Sequence, residues 1–408
     1  MAASADIRFD DQRAGRNALI LSVAQALYGC STVVLIATGG LVGTTLAADR
    51  GLATLPITMF VIGTALTTIP ASLLMRRVGR RAGFILGASA GAIGAVVCAL
   101  AIHIGHFWLF AAASLLQGVY QAFSQYFRFA AADLASPAFR PKAISWVLAG
   151  GIAGALFVPA IIAFTKDLFG PALFIGTYLF SALTALVSIG VLALLDNPPT
   201  LKADAEGPSR PLSKILRQPR LIAAMLAGMT AYGVMNFVMT ATPIAMVDCG
   251  FSVESSAWVI QWHALAMFAP SFFTGHLIAR FGVDRIVLIG MALLVLAAIS
   301  GLAGLSFAHF SVGLVLLGLG WNFGYIGGTA IVTESYLPAE KNKVQALNDF
   351  TIFAAVATAS LVSGKILSTF GWEAVNWTAL PAILLASVAF LVFSFLARSR
   401  AANSPATP

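Results

Sequence analysis

Four sets of polar side chains recur at helical spacing inside otherwise apolar stretches of the chain. Gln117, Gln121, Gln125 and Arg128 follow one another at steps of four, four and three. Gln25, Tyr28 and Thr32 form a second set. Tyr232, Asn236 and Thr240 form a third, and Asn322, Tyr325, Thr329 and Thr333 a fourth. Such steps put each set on one face of one helix. Amides, phenols and hydroxyls so arranged make and break no bonds; they hydrogen-bond a polar solute, or each other across a helix pair. Arg128 adds a permanent charge that can grip a carboxylate or phosphate through two parallel hydrogen bonds. Trp321, beside Asn322 and Tyr325, adds a flat surface for a planar molecule, and Trp262 is a second candidate.

Two titratable groups lie in the same kind of surroundings. His263 sits beside Gln261 and Trp262, and Asp349 follows Asn348. A histidine can titrate near neutral pH and carry a proton, or it can be a neutral packing residue. An aspartate at a helix start can relay protons, or it can simply complement the helix dipole. No phosphate-binding glycine loop, HExxH or CxxC pattern is present. The five histidines are scattered, and Cys30, Cys98 and Cys249 lack metal-ligand spacing. No enzymatic activity, metal or cofactor is therefore expected.

The elements that must carry these side chains follow from composition. Of 408 residues, 59% are hydrophobic and only 10% charged, against roughly 25% charged in a soluble domain. The mean hydropathy is +0.90. A soluble fold of this size could not cover its surface with so few charges, which excludes a soluble enzyme, a disordered chain and a nucleic-acid-binding module. Apolar runs place membrane-spanning helices at about 18–46, 52–75, 82–104, 107–132, 143–165, 170–195, 219–247, 253–279, 285–307, 309–335, 346–369 and 373–397. The runs lack the alternation of a transmembrane β-barrel. The expectation is an all-α membrane protein with twelve transmembrane helices.

Charge sets the orientation. With the N-terminus in the cytoplasm, 20 of the 24 Lys and Arg residues fall on cytoplasmic segments; Arg50 and Lys166 lie outside, and Arg128 and Lys365 lie within spans. This asymmetry accounts for the net charge of +8 without a nucleic-acid partner, and it places both termini in the cytoplasm. The segment 196–218, rich in Pro, Lys and Asp, separates six spans from six. The expected organisation is an N-terminal six-helix bundle over 1–195, a cytoplasmic linker over 196–218 and a C-terminal six-helix bundle over 219–408.

The halves repeat one another. Asp133, Pro137, Arg140 and Lys142 after span four match Glu334, Pro338, Lys341 and Lys343 after span ten, all at an offset of 201. The loop Arg77-Val78-Gly79-Arg80-Arg81 after span two is echoed by Arg280-Phe281-Gly282-Val283-Asp284-Arg285 after span eight. Parallel six-helix repeats are a transporter plan.

The stretch from Ser72 to Arg81 resembles the loop signature of the major facilitator superfamily, Gly-x-Leu-x-Asp-Arg-x-Gly-Arg-Arg, and the stretch from Gly275 to Gly282 resembles its second copy. The signature's Asp is replaced by Arg76 in the first copy and by Ala279 in the second. Ser114-Leu115-Leu116-Gln117-Gly118 resembles the fourth-span signature without its Arg. Gly150, Gly154 and Pro159 form a degenerate fifth-span antiporter signature; the two glycines also suit close helix packing.

The resemblance implies a fold of two pseudo-symmetric bundles and transport of a small-molecule substrate by alternating access. It implies a central cavity lined by spans one, four, seven and ten, the four that carry the polar stripes. Candidate cavity residues are thus Gln25, Tyr28, Gln117, Gln121, Gln125, Arg128, Tyr232, Asn236, His263, Trp321, Asn322 and Tyr325. Protons are the expected coupling partner, through His263 or Asp349. Arg77, Arg80, Asp133, Arg280 and Glu334 are the expected gating charges. The chain is expected in the lipid bilayer of a bacterial inner (plasma) membrane, as a monomer. Alternatives are a proton-driven multidrug efflux antiporter and a non-transporting sensor on the same scaffold.

Overall fold

The computed structural model describes residues 10–132, 135–136, 139–196, 210–337 and 340–402, and these form helices and turns without a strand. In chain order the helices are α1 (Asp11–Leu46), α2 (Leu55–Val78), α3 (Arg80–His103), α4 (Phe107–Ser124), α5 (Phe127–Ala132), α6 (Arg140–Thr165), α7 (Ile175–Leu192), α8 (Leu212–Ile215), α9 (Pro219–Asp248), α10 (Val253–Phe268), α11 (Ser271–Phe281), α12 (Val283–Ala303), α13 (Phe307–Glu334) and α14 (Lys341–Ala402). A bilayer leaves backbone groups no water, so a spanning segment must satisfy them within itself.

Among the described residues, eight helices are long and apolar enough to cross a membrane. The other spans are shorter, broken or merged. Span four is α4 and α5, and span eight is α10 and α11, parted at Ala269–Pro270. Pro270 has no backbone N–H to donate into the preceding turn. Span five is α6. Spans eleven and twelve run together as α14, whose one non-helical residue is Gly371 (φ 81°). The twelve expected spans are thereby accounted for.

The sequence repeat is also a backbone repeat. Gly79, between α2 and α3, has φ 85°, and Gly282, between α11 and α12, has φ 84°. Side chains with a Cβ rarely adopt this region, so glycine lets the chain reverse within one residue at both places. Three helices, α4, α10 and α13, begin with side-chain caps. His106 Nδ1 accepts from the Leu109 amide, Ser252 Oγ from Ser255 and Ser306 Oγ from His309, each satisfying an amide that has no partner in the first helical turn.

The described residues pack as two compact units. One holds those of Met1–Leu35 and Leu66–Leu201, the other those of Ile36–Ala65 and Lys202–Pro408. This division differs from a cut in the 196–218 linker, because the far ends of α1 and α2 pack within the second unit. A Cβ at Gly40 would meet the Ile244 side chain at 3.1 Å, and Arg50 Nη2 lies 2.8 Å from Asp248 Oδ1. Thr54 Oγ1 donates to the Ser360 carbonyl at 2.8 Å.

The first unit has an aromatic and small-residue core. Phe84 meets Phe127 edge-to-face with centroids 4.8 Å apart, within a cluster containing Ala88, Ala92, Tyr120 and Phe123. A Cβ at Gly150 would fall 2.1 Å from the Ser22 carbonyl oxygen, so α1 and α6 touch backbone to backbone there. Small residues permit such contact between membrane helices.

Candidate functional site

In the first unit the polar stripe of α4 divides by depth. Gln117 is 4% exposed. Its Oε1 accepts from Ser31 Oγ at 3.2 Å and its Nε2 donates to the Gly91 carbonyl at 3.2 Å. Ser31 Oγ is also 2.6 Å from Ser181 Oγ. Gln117 thus ties α1, α3 and α4 together, and its amide is committed to partners within the unit. Tyr120 behaves alike: its hydroxyl donates to Ser188 at 2.9 Å, and its ring meets Tyr28 edge-to-face at 4.9 Å. Tyr28 is buried, and Gln25 is half-buried beside Gly151.

Gln121 and Gln125, nearer the basic end of the stripe, are half-buried. Gln125 caps α4 where span four breaks, and at that break Tyr126 donates its hydroxyl to the Thr68 carbonyl at 2.9 Å. Arg128 is exposed, with its guanidinium carbon 4.8 Å from the Phe129 ring centre.

In the second unit, aromatic side chains from four helices converge. Trp321 and Tyr325 of α13 stack with centroids 5.1 Å apart and planes at 15°. Tyr232 of α9 stands edge-on to both, at 5.4 Å and 5.3 Å. Phe268, at the end of α10, meets Trp321 at 5.9 Å, and Phe353 of α14 meets Tyr232 at 6.1 Å. Edge-to-face and offset arrangements exploit the ring quadrupoles. Tyr232, Tyr325 and Phe353 remain half-buried, so the cluster keeps some ring surface open. Tyr232 and Tyr325 belong to the polar sets of the sequence and Trp321 stands beside one of them; Phe268 and Phe353 carried no such signal.

Other candidates of this unit turn elsewhere. Asn322, 0% exposed, faces the break in span eight. Its Nδ2 donates to the Met267 carbonyl at 2.6 Å and to Ser271 Oγ at 2.8 Å, and its Oδ1 accepts from Thr274 Oγ1 at 2.6 Å. Asn322 thereby supplies hydrogen bonds where the helix is interrupted. Asn236 is buried and accepts from Thr240 Oγ1 at 3.4 Å. His263 is 1% exposed, with Nδ1 2.7 Å from the Leu314 carbonyl oxygen. A carbonyl only accepts, so this contact places the proton on Nδ1. The neighbouring Trp262 is exposed. Asp349 is half-buried, and its Oδ1 accepts from Asn348 Nδ2 at 3.2 Å.

Three of the five expected gating charges are exposed. Asp133 lies outside the described residues. Arg77, Arg280 and Glu334 are exposed and Arg80 is half-buried. Arg280 packs its guanidinium carbon 5.3 Å from the Phe281 ring centre.

Two ion pairs that the motifs did not single out hold the basic side of the second unit. Glu340, fully buried, accepts from Arg210 Nε at 2.8 Å, Arg210 Nη2 at 2.7 Å, the Arg210 amide at 2.8 Å and the Leu337 amide at 3.0 Å. The Arg210 hydrogen bonds, followed by those from the Leu337 and Arg210 amides, outweigh burial and hold this carboxyl down to about 2. Arg220 pairs with Asp284. Separations of 130 and 64 residues left neither pair visible to local patterns. Asp284 does lie in the repeat of the basic loop, which was the one available pointer.

The chain is 44% identical over 385 residues to the riboflavin transporter RfnT of Brucella anthropi, covering 94% of this chain and 97% of that protein. It is 28% identical over 378 residues to the uncharacterized MFS-type transporter YdeG of Bacillus subtilis, covering 88% of each. Among solved structures it resembles a point mutant of the nucleoside transporter NupG, with a TM-score of 0.73 at 13% identity over 92% of this chain and 99% of that one. The Escherichia coli xylose transporter XylE, in a partially occluded inward-open conformation, also gives a TM-score of 0.73, at 15% identity over 94% and 98%. Likenesses at such identities speak for the fold alone. The Major Facilitator Superfamily description matches residues 21–260 and 224–408, and with the helical architecture and the repeated glycine turns this makes the chain a member of that superfamily, an integral membrane transporter.

Proposed function

We propose that the protein is a secondary transporter of flavins, with riboflavin as the substrate to test first. The observation that carries this reading is the aromatic cluster of Tyr232, Trp321 and Tyr325. A flavin is a planar tricyclic ring bearing a polyhydroxyl chain, and half-open aromatic faces are the chemistry that holds such a ring. The relative whose printed name is riboflavin transporter aligns over nearly the whole of both chains, which supports the same substrate class. Riboflavin is uncharged near neutral pH, so this reading asks no anion-binding role of Arg128. An Arg128→Ala variant is expected to keep its affinity for riboflavin.

The test is counterflow of riboflavin, followed by its own fluorescence, in proteoliposomes containing the purified protein. Saturable exchange that unlabelled nucleosides and xylose do not compete with is the expected result. No riboflavin exchange, alongside movement of a nucleoside or a sugar, overturns the reading.

Proton coupling is part of the proposal, with Asp349 preferred to His263 as the titrating group. His263 is engaged in holding α10 on α13 through the Leu314 carbonyl, whereas Asp349 is half-buried near the start of α14. An imposed pH gradient is expected to drive riboflavin accumulation in the wild type and to lose that effect in Asp349→Asn. Accumulation indifferent to the gradient removes the coupling proposal. The bias of basic residues supports an inner-membrane orientation with both termini cytoplasmic.

A further inference from the structure

We infer that the indole N–H of Trp321 is the donor that recognises a hydrogen-bond acceptor on the rim of the planar ring bound at the aromatic cluster. This rests on the flavin reading above and adds to it the atom that sets specificity.

Trp321 is 6% exposed, and three rings hold it in place. Tyr325 lies parallel to it at 5.1 Å, Tyr232 stands edge-on at 5.4 Å and Phe268 edge-on at 5.9 Å. The next residue, Asn322, fastens α13 to both sides of the span-eight break through Met267, Ser271 and Thr274. Packing therefore orients the indole before any solute arrives. A side chain so held forms a hydrogen bond at little further entropic cost.

The Nε1 atom of this side chain is buried and has no hydrogen-bond partner among the described residues. Buried donors in folded proteins are overwhelmingly paired, and an indole nitrogen can only donate. Phe268 offers no acceptor. The cluster thus combines aromatic surface, which accepts any flat molecule, with one buried donor, which does not. An isoalloxazine carries carbonyl oxygens and ring nitrogens with in-plane lone pairs on its rim. A planar hydrocarbon of the same size carries none and would leave the donor unpaired. Sites that pair a buried polar group with the substrate reject analogues lacking the partner far more strongly than purely apolar pockets reject shape variants. The class of ligand specified is a flat heteroaromatic with an acceptor on its edge.

The experiment uses the full-length protein in lipid nanodiscs with 15N-labelled tryptophan. The chain has seven tryptophans, and the Trp321 indole resonance is assigned by its disappearance in Trp321→Phe. On saturation with riboflavin, that resonance is expected to move downfield and its proton to exchange more slowly with solvent. Because Phe is also smaller, the donor is isolated in a second variant that replaces Trp321 by its benzothienyl isostere, with sulfur in place of N–H. Riboflavin binding is expected to weaken about tenfold to a hundredfold in that variant, the range set by leaving one buried donor–acceptor pair unmade. If wild-type protein binds riboflavin but the resonance stays fixed, or the isostere binds as tightly, this inference falls and the flavin reading stands. If wild-type protein does not bind riboflavin, both fall.

Discussion

Thr54 and Ser360, 306 residues apart in sequence, meet in the second unit, where the Thr54 hydroxyl donates to the Ser360 carbonyl at 2.8 Å and both side chains are fully buried. Gly364, one turn further along α14, makes the room for this contact. A Cβ there would lie 2.4 Å from Thr54 Oγ1 and 2.9 Å from its Cγ2. Gly364→Ala is expected to destabilise the protein by about 1–3 kcal/mol, as overpacking of a filled site does. Thr54→Ala alone loses one hydrogen bond, worth about 0.5–1.5 kcal/mol net. Joined to Gly364→Ala, it removes the clashing atoms, so the double variant should be more stable than Gly364→Ala alone. Thermal unfolding in detergent measures all three, and simple additivity of the two single effects would contradict the contact.

The Arg210–Glu340 pair carries a pH signature. Glu340 is held at about 2, below its ordinary 4.5. Its contribution to stability is therefore complete above pH 4.5 and is lost as the pH falls toward 2. Glu340→Gln should be less stable than wild type at neutral pH, and the gap should narrow across that acid window. Unfolding temperatures of the two proteins at matched pH values test this. A gap that stays constant down to the bottom of that window would mean that the carboxylate charge is not what Arg210 holds.

Asn322 and Gln117 are expected to act on stability more than on substrate affinity. Asn322→Leu takes the side-chain amide from the Met267 carbonyl and Ser271, while Thr274 keeps the Pro270 carbonyl. Gln117→Leu removes the side-chain partner of the Gly91 carbonyl and leaves the Ser31 hydroxyl with Ser181 alone. Each is predicted to cost about 1–3 kcal/mol, the penalty for a buried polar group left unpaired. Protein that survives should bind solute with nearly wild-type affinity, read by isothermal titration on the folded fraction. An affinity loss beyond about tenfold, or roughly 1.4 kcal/mol, at unchanged unfolding temperature would place either side chain on the solute instead.

Tyr232 and Tyr325 are expected to behave in the opposite way. Each is half-buried and packed ring against ring. Replacing either by Leu keeps bulk but removes the aromatic pairing, worth about 0.5–1.5 kcal/mol per pair. Riboflavin affinity should fall several-fold in each variant, with Tyr232→Phe and Tyr325→Phe close to wild type if the ring face is what binds. Quenching of flavin fluorescence on binding reads the difference.

Legible along the chain were the helical class, the twelve spans, the gathering of basic residues in alternate loops and the internal repeat. These are local properties. A segment inside a bilayer must satisfy its own backbone, so apolar length alone marks it; the offset of 201 and the turn glycines Gly79 and Gly282 are equally readable along the chain. Helical spacing also placed Gln117, Gln121, Gln125, Tyr232, Asn322 and Tyr325 on common faces. Tertiary structure alone decided what each face meets. A stripe one helix wide can meet a neighbouring helix along part of its length and open space along the rest. Gln117 and Asn322 accordingly spend their amides on other helices, while Tyr232 and Tyr325 keep their rings half open. The same holds for Arg210 with Glu340 and for Thr54 with Ser360. These are contacts between residues far apart in the chain, and no period within a single helix encodes a partner on another.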